Sequence, residues 1–179
     1  MALTPLPPDN TIRYWLNYSV AGINHSLQSR VDPAGSDAGA IATFNGLLDE
    51  LDGILATNAT FSSVDKSAAG SNVRNPVSGW TPRSGAGGFT STGDARAFQI
   101  SFVGRSVDGR KAKWQIWGAG PTSDGDFRWE AGDIAYLDDA IAYMASQSRY
   151  FLTISGLKPV MHPYTNYGYN DHTVRGLRA

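Results

Sequence analysis

The tightest group of carboxylates in this sequence is Asp124, Asp126 and Glu130. Two such groups flanking a glycosidic bond can divide acid and base work between them. Three can gather a calcium ion, although this spacing is not that of an EF-hand loop. The reading adopted is a solvated acidic turn. Histidines stand at 25, 162 and 172. His25 shares an alternating face with Ile23 and Leu27, the setting of a hydrogen-bonded core imidazole. His162 and His172 lie ten residues apart with Asp171 beside the second, and ordinary surface histidines are preferred to a metal pair.

Two segments approach a phosphate loop and fail it. Gly88-Phe-Thr-Ser-Thr-Gly93 is followed by Asp94 where lysine is needed, and Gly104-Arg-Ser-Val-Asp-Gly109 leads into a strand instead of a helix N-terminus. Both read as turns. No Gly-x-Ser-x-Gly elbow occurs, and the absence of cysteine removes disulfides, thiolate zinc sites and thiol nucleophiles together. Asn58-Ala59-Thr60 matches a glycosylation acceptor by chance. No catalytic residue, cofactor or metal site is expected, and the chain reads as a non-enzyme. Five tryptophans leave one binding chemistry open. Trp15 is out of phase with the apolar face of its strand, and Trp117 with Trp114. Exposed on a sheet, Trp15, Trp117 or Trp80 could stack on a sugar ring; on a covered sheet Trp15 and Trp117 are second-face core.

The elements that must carry these residues follow from periodicity. Three prolines in residues 2–10 predict an extended arm. Ile12, Tyr14, Leu16, Tyr18 and Val20 alternate with polar positions, Ala21-Gly22 turns, and Ile23 to Val31 returns, which predicts a hairpin. Ser36 or Asp37 caps a helix to about Ala56 with the stripe Ile41, Phe44, Leu48, Leu51 and Leu55. A strand follows near Thr60 to Lys66. Residues 67–94 are Gly/Ser-rich and read as a long loop, a length that is usually functional. A second hairpin runs from Ala97 to Gly118 around Asp108-Gly109, with a short strand at Phe127 to Glu130. Asp133 caps a second helix with the stripe Ile134, Leu137, Ile141 and Met144, and Arg149 to Ser155 is the last strand. Two hairpin–helix–strand halves result, their starts roughly 85 to 97 residues apart. The expected fold is one α+β domain over residues 11–160, an antiparallel sheet of about six strands with two helices on one face. Residues 161–179 form a tail whose tyrosines, Tyr164, Tyr167 and Tyr169, suit an interface.

The charge balance is fifteen basic residues against sixteen acidic, and nucleic acid is not expected as a partner. Charged residues are 17% of the chain, below the ~25% usual for soluble proteins. No apolar run reaches the ~18 residues that span a membrane, and the start lacks the pattern of a signal peptide, so synthesis in a cytoplasm is expected.

The opening Met1-Ala-Leu-Thr-Pro-Leu-Pro-Pro-Asp-Asn, running into Arg13-Tyr-Trp-Leu-Asn-Tyr18, resembles the start of small virion structural proteins of tailed bacteriophages. The hairpin Phe102-Val-Gly-Arg-Ser-Val-Asp-Gly-Arg-Lys111 and the ending Asp171-His-Thr-Val-Arg-Gly-Leu-Arg178 are similar to the same group. The resemblance covers under a third of the chain. It implies a capsid-decorating (cement), neck or tail component made in the host cytoplasm. Its partners would be copies of itself and other virion proteins, the major capsid or tail protein. Leu3, Leu6, Trp80, Phe89, Tyr164, Tyr167 and Tyr169, on the arm, loop and tail, are the expected inter-subunit contacts. The alternative is a carbohydrate- or surface-binding module using Trp15 and Trp117.

Overall fold

The computed structural model describes residues 11–20, 22–31, 34–87, 97–106, 111–119, 131–151, 154–165, 168–169 and 175–176. Alternation makes β1 (Ile12–Val20), with Tyr14, Leu16, Tyr18 and Val20 buried as predicted. Gly22, at φ 80°, turns the chain into β2 (Ile23–Val31), and the register runs unbroken from Ile12 opposite Val31 to Val20 opposite Ile23. The Ser36 hydroxyl accepts from Gly39 N–H at 3.1 Å and caps α1 (Asp37–Glu50). This helix stops short of the predicted Ala56. Asp52 and Gly53 are poor helix formers, and a tighter turn over Asp52–Ile54 replaces the last stretch. β3 (Ala59–Ser67) then pairs with β1, with a register shift between Asn17 and Tyr18.

The Gly/Ser-rich segment predicted as a free loop is, as far as Gly87, laid along the outer edge of β3. β4 (Asn75–Pro76) pairs with Asp65 and Lys66, and β5 (Arg83–Ser84) pairs with Thr60 and Phe61. Between and beyond them Val77 N–H donates to Val64 O at 2.8 Å, Gly85 N–H to Ala59 O at 3.0 Å and Gly87 N–H to Leu55 O at 2.7 Å. The Trp80 indole N–H joins the same ladder, donating to Phe61 O at 3.0 Å. A Cβ at Gly85 or Gly87 would overlap the Ala56 or Leu55 carbonyl, so glycine is what lets the backbones approach. The segment thus closes an edge that would otherwise offer open N–H and C=O groups.

The second half repeats the order. β6 (Ala97–Ser106) and β7 (Lys111–Ala119) form the predicted hairpin, and α2 (Ala131–Ser146) follows. Asp133 is buried in the first turn of α2 and not at its cap; a carboxylate there still complements the helix dipole. Where a strand was expected from Arg149, the chain is helical as far as Phe151, and strand begins at Ile154. Ser148–Phe151 is a single helical turn, α3, whose Tyr150 and Phe151 N–H groups both donate to Gln147 O at 2.9 Å. Packing decides it, because Phe151 is buried edge-on against Trp114. β8 (Ile154–Thr165) begins later and extends into the segment read as a tail. Pro159 and Pro163 concealed it, since proline argues against a strand. β9 (Gly168–Tyr169) and β10 (Arg175–Gly176) both pair with β8.

The class is α+β and every strand pairing is antiparallel. The six long strands form two sheets, β2-β1-β3-β4 with β5 also on β3, and β10-β8-β6-β7 with β9 also on β8. Edge strands β2 and β7 lie beside each other, and one apolar cluster draws Leu16, Phe44, Phe61, Phe102, Ile116 and Leu137 from both halves. No described helix is long and apolar enough to cross a membrane.

The helices join through a pattern that sequence inspection overlooked. Glycines at 39, 46 and 53 face tyrosines at 150, 143 and 136, and a Cβ at each glycine would overlap the tyrosine opposite. Both series step by seven, and one ascends as the other descends. That is an antiparallel seam in which ring knobs fill glycine holes.

Candidate functional site

Two polar constellations tie elements of the fold together, and a third lies on a sheet face. At the junction of the sheets, Trp117 Nε1 donates to His25 Nε2 at 3.2 Å, and the Tyr18 hydroxyl donates to Gln115 O at 2.9 Å. The His25 ring stacks on Tyr18 with centroids 5.2 Å apart and tilts against Trp117 at 5.8 Å. Burial holds the His25 pKa below its ordinary value and raises that of Tyr18, so a neutral imidazole accepts and a phenol donates. Under β1, Lys66 Nζ reaches both Asp37 oxygens at 2.9 and 2.7 Å while the Tyr14 hydroxyl donates to Asp37 Oδ1. The Lys66 hydrogen bond, then that of Tyr14, depresses the Asp37 carboxyl; burial, then its bond to Asp37, raises the Tyr14 phenol. These groups tie β1, α1 and β3 together.

The third constellation is on the face of the first sheet turned away from α1. There the register sets Arg13 opposite Arg30, Trp15 opposite Gln28 and Asn17 opposite Ser26, with Asp65 across from Trp15 on β3. Asn17 Nδ2 donates to Asp65 Oδ2 at 2.8 Å and Ser63 Oγ at 3.1 Å. Arg74, exposed in the segment along β3, brings its guanidinium carbon to 4.3 Å from the Trp15 ring centre, and Arg13 stands at 5.5 Å. Arg13 also donates to the Ser71 carbonyl. Ser26 and Gln28 are exposed beside them.

This arrangement bears on the two readings left open for the tryptophans. Trp15 is only 5% exposed under its two arginines, and Trp117 is 4% exposed against His25. Trp117 belongs to the main apolar cluster and Trp15 is covered by its arginines, and neither offers a bare ring. Trp80 is half-buried, with its N–H committed to β3. Tyr164 and Tyr169 are register partners between β8 and β9. Leu3, Leu6, Phe89 and Tyr167 lie outside the described residues, as do Asp124, Asp126, Glu130, Asp171, His172 and the strand expected at Phe127 to Glu130. His162 is in β8 opposite Gln99.

Sequence reading missed the arginine cluster, although its pair was legible. A two-residue turn at Ala21-Gly22 sets partners whose numbers sum to 43, and 13 and 30 do. Arg74 was not legible, because only the docking of its segment brings it over Trp15. Comparison with protein-family models, with curated proteins and with solved structures yields no match.

Proposed function

We infer that this chain is a structural component of a bacteriophage virion, most simply a capsid-decorating protein, that acts through protein–protein contacts. The observation that carries the reading is the sheet face around Trp15, where Arg74 and Arg13 are held over the ring. Stacking on an indole orients a guanidinium and lowers the entropy lost when it meets a carboxylate, which suits an interface. The ionisable groups on the other face of this sheet serve the fold: His25 takes the Trp117 N–H, and Asp37 takes Lys66 and Tyr14. The resemblance of both ends and the second hairpin to virion proteins points the same way. Symmetric shells repeat a modest contact many times, so a small domain is enough.

The test is cryo-electron microscopy and mass spectrometry of particles purified from the source of the chain. Density for this fold in stoichiometric copies on a shell or tail is expected. A chain never recovered in any particle would sink the idea.

A further inference from the structure

The near-neutral total charge conceals a separation between layers. The helices and the turn Asp52–Ile54 hold seven acidic residues, Asp37, Asp49, Glu50, Asp52, Asp133, Asp138 and Asp139, and one basic residue, Arg149. The described strands invert this, with nine basic residues and a single acidic one, Asp65. Some of the opposition is used within the chain: Lys66 meets Asp37, and Arg83 meets Asp49 at 2.6 Å. Asp138 and Asp139 are exposed on α2, and Arg74 is exposed on the other side of the molecule with Arg13 half-exposed beside it.

Each charged surface also carries one large exposed apolar side chain. Val73, 65% exposed, precedes Arg74, and Tyr136, 40% exposed, lies two residues before Asp138. A contact needs such an apolar centre, because charge supplies register and rate more than affinity.

We propose that the Trp15 face of one copy docks onto the acidic α1–α2 face of a second copy, head to tail. Arg13 and Arg74 would meet Glu50, Asp138 and Asp139. The contact is heterologous: a docked pair keeps one unused face of each kind, so the series continues or closes into a ring according to the rotation between copies. A nucleic-acid strand is the competing occupant of an arginine face. The second copy is favoured because the complementary acidic surface stands on the same molecule. The proposal rests on the assembly reading, and the two can fail separately. A chain that self-associates yet is absent from particles refutes the first alone; a chain found in particles yet monomeric by itself refutes only the head-to-tail contact.

Sedimentation velocity of the full chain at low and high salt tests it. Wild type should form a concentration-dependent series of oligomers at low salt that dissociates at high salt. Arg13→Ala with Arg74→Ala, and separately Asp138→Asn with Asp139→Asn, should each weaken self-association by about tenfold or more, with circular dichroism unchanged. Mixed in equal amounts, the two variants should form dimers that grow no further, since only one intact pair of faces remains. Should the arginine variant fail to fold, Gln28→Glu on the same exposed face replaces it, with the same expected weakening. A monomeric wild type at low salt, or a mixture that stays monomeric, overturns the proposal. So does self-association that survives the arginine changes while binding of a single-stranded oligonucleotide is lost.

Discussion

The two halves of the domain share a plan and differ in how they finish it. Each is a hairpin, a helix and a strand that returns beside the first strand of the hairpin. In the first half the return strand is nine residues long and its outer edge is closed by the segment from Asn75 to Gly87. In the second it runs to twelve and takes the short strands β9 and β10. The helices differ in a complementary way, one carrying glycines where the other carries tyrosines. A repeated plan therefore sets the architecture, while the unlike seams let one half recognise the other instead of a second copy of itself.

If the halves fold as one unit through that seam, damage to either must melt both. Leu48 and Leu137 are fully buried, one in each half of a single cluster. Leu48→Ala and Leu137→Ala should each cost about 2–5 kcal/mol. Each should lower one thermal transition reported equally by hydrogen exchange in both halves. Two separate transitions would show the halves to be independent.

Gly85→Ala probes the edge closed only in the first half. The new Cβ meets the Ala56 carbonyl, so the segment must shift off β3 at about 1–3 kcal/mol. Faster amide exchange at Val77 and Gly87 should accompany the loss. An unchanged exchange pattern would mean that the closure does not depend on close approach there.

The helix seam predicts a change of sign. Gly46→Ala should cost about 1–2 kcal/mol in wild type, because the methyl meets the Tyr143 ring. In a Tyr143→Ala background the hole is empty, and the same change should stabilise by up to about 1 kcal/mol through helix propensity. Additive effects in chemical denaturation would dismiss the knob-and-hole account.

The smallest expected effect concerns pH at the sheet junction. The folded His25 pKa lies below its ordinary value, so the unfolded chain takes up the proton first as pH falls. Its contribution is complete above the unfolded value of about 6.5 and declines from there toward the lower folded value. His25→Gln should flatten this part of the stability profile, and Trp117→Phe should remove about 1 kcal/mol for the lost hydrogen bond. A profile in His25→Gln that matches wild type would place the titration elsewhere.

Much of this was legible in the chain because the signals are local. The period-two run from Ile12 to Val20 fixes which face is buried, since one step of register would expose all of it. Ser36 with its apolar stripe starts α1, and the turn at Gly22 sets the pairing of Arg13 with Arg30. The sevenfold steps of glycine and tyrosine were also written there, but either series alone has no partner to give it meaning. What tertiary structure decided are the contacts between segments far apart in sequence. No periodicity says that a Gly/Ser-rich stretch will lie along β3, because its stabilisation comes from the distant carbonyls of Leu55, Ala59 and Val64. Trp15 and Trp117 are buried for the same reason: Arg74 and His25 cover them, and only the folded chain brings those groups within reach. Pro159 and Pro163 argued against a strand locally, and pairing with β6 overrode them. Local propensity acts over a few residues, whereas burial and pairing are shared across the whole domain, and where the two disagreed the shared terms prevailed.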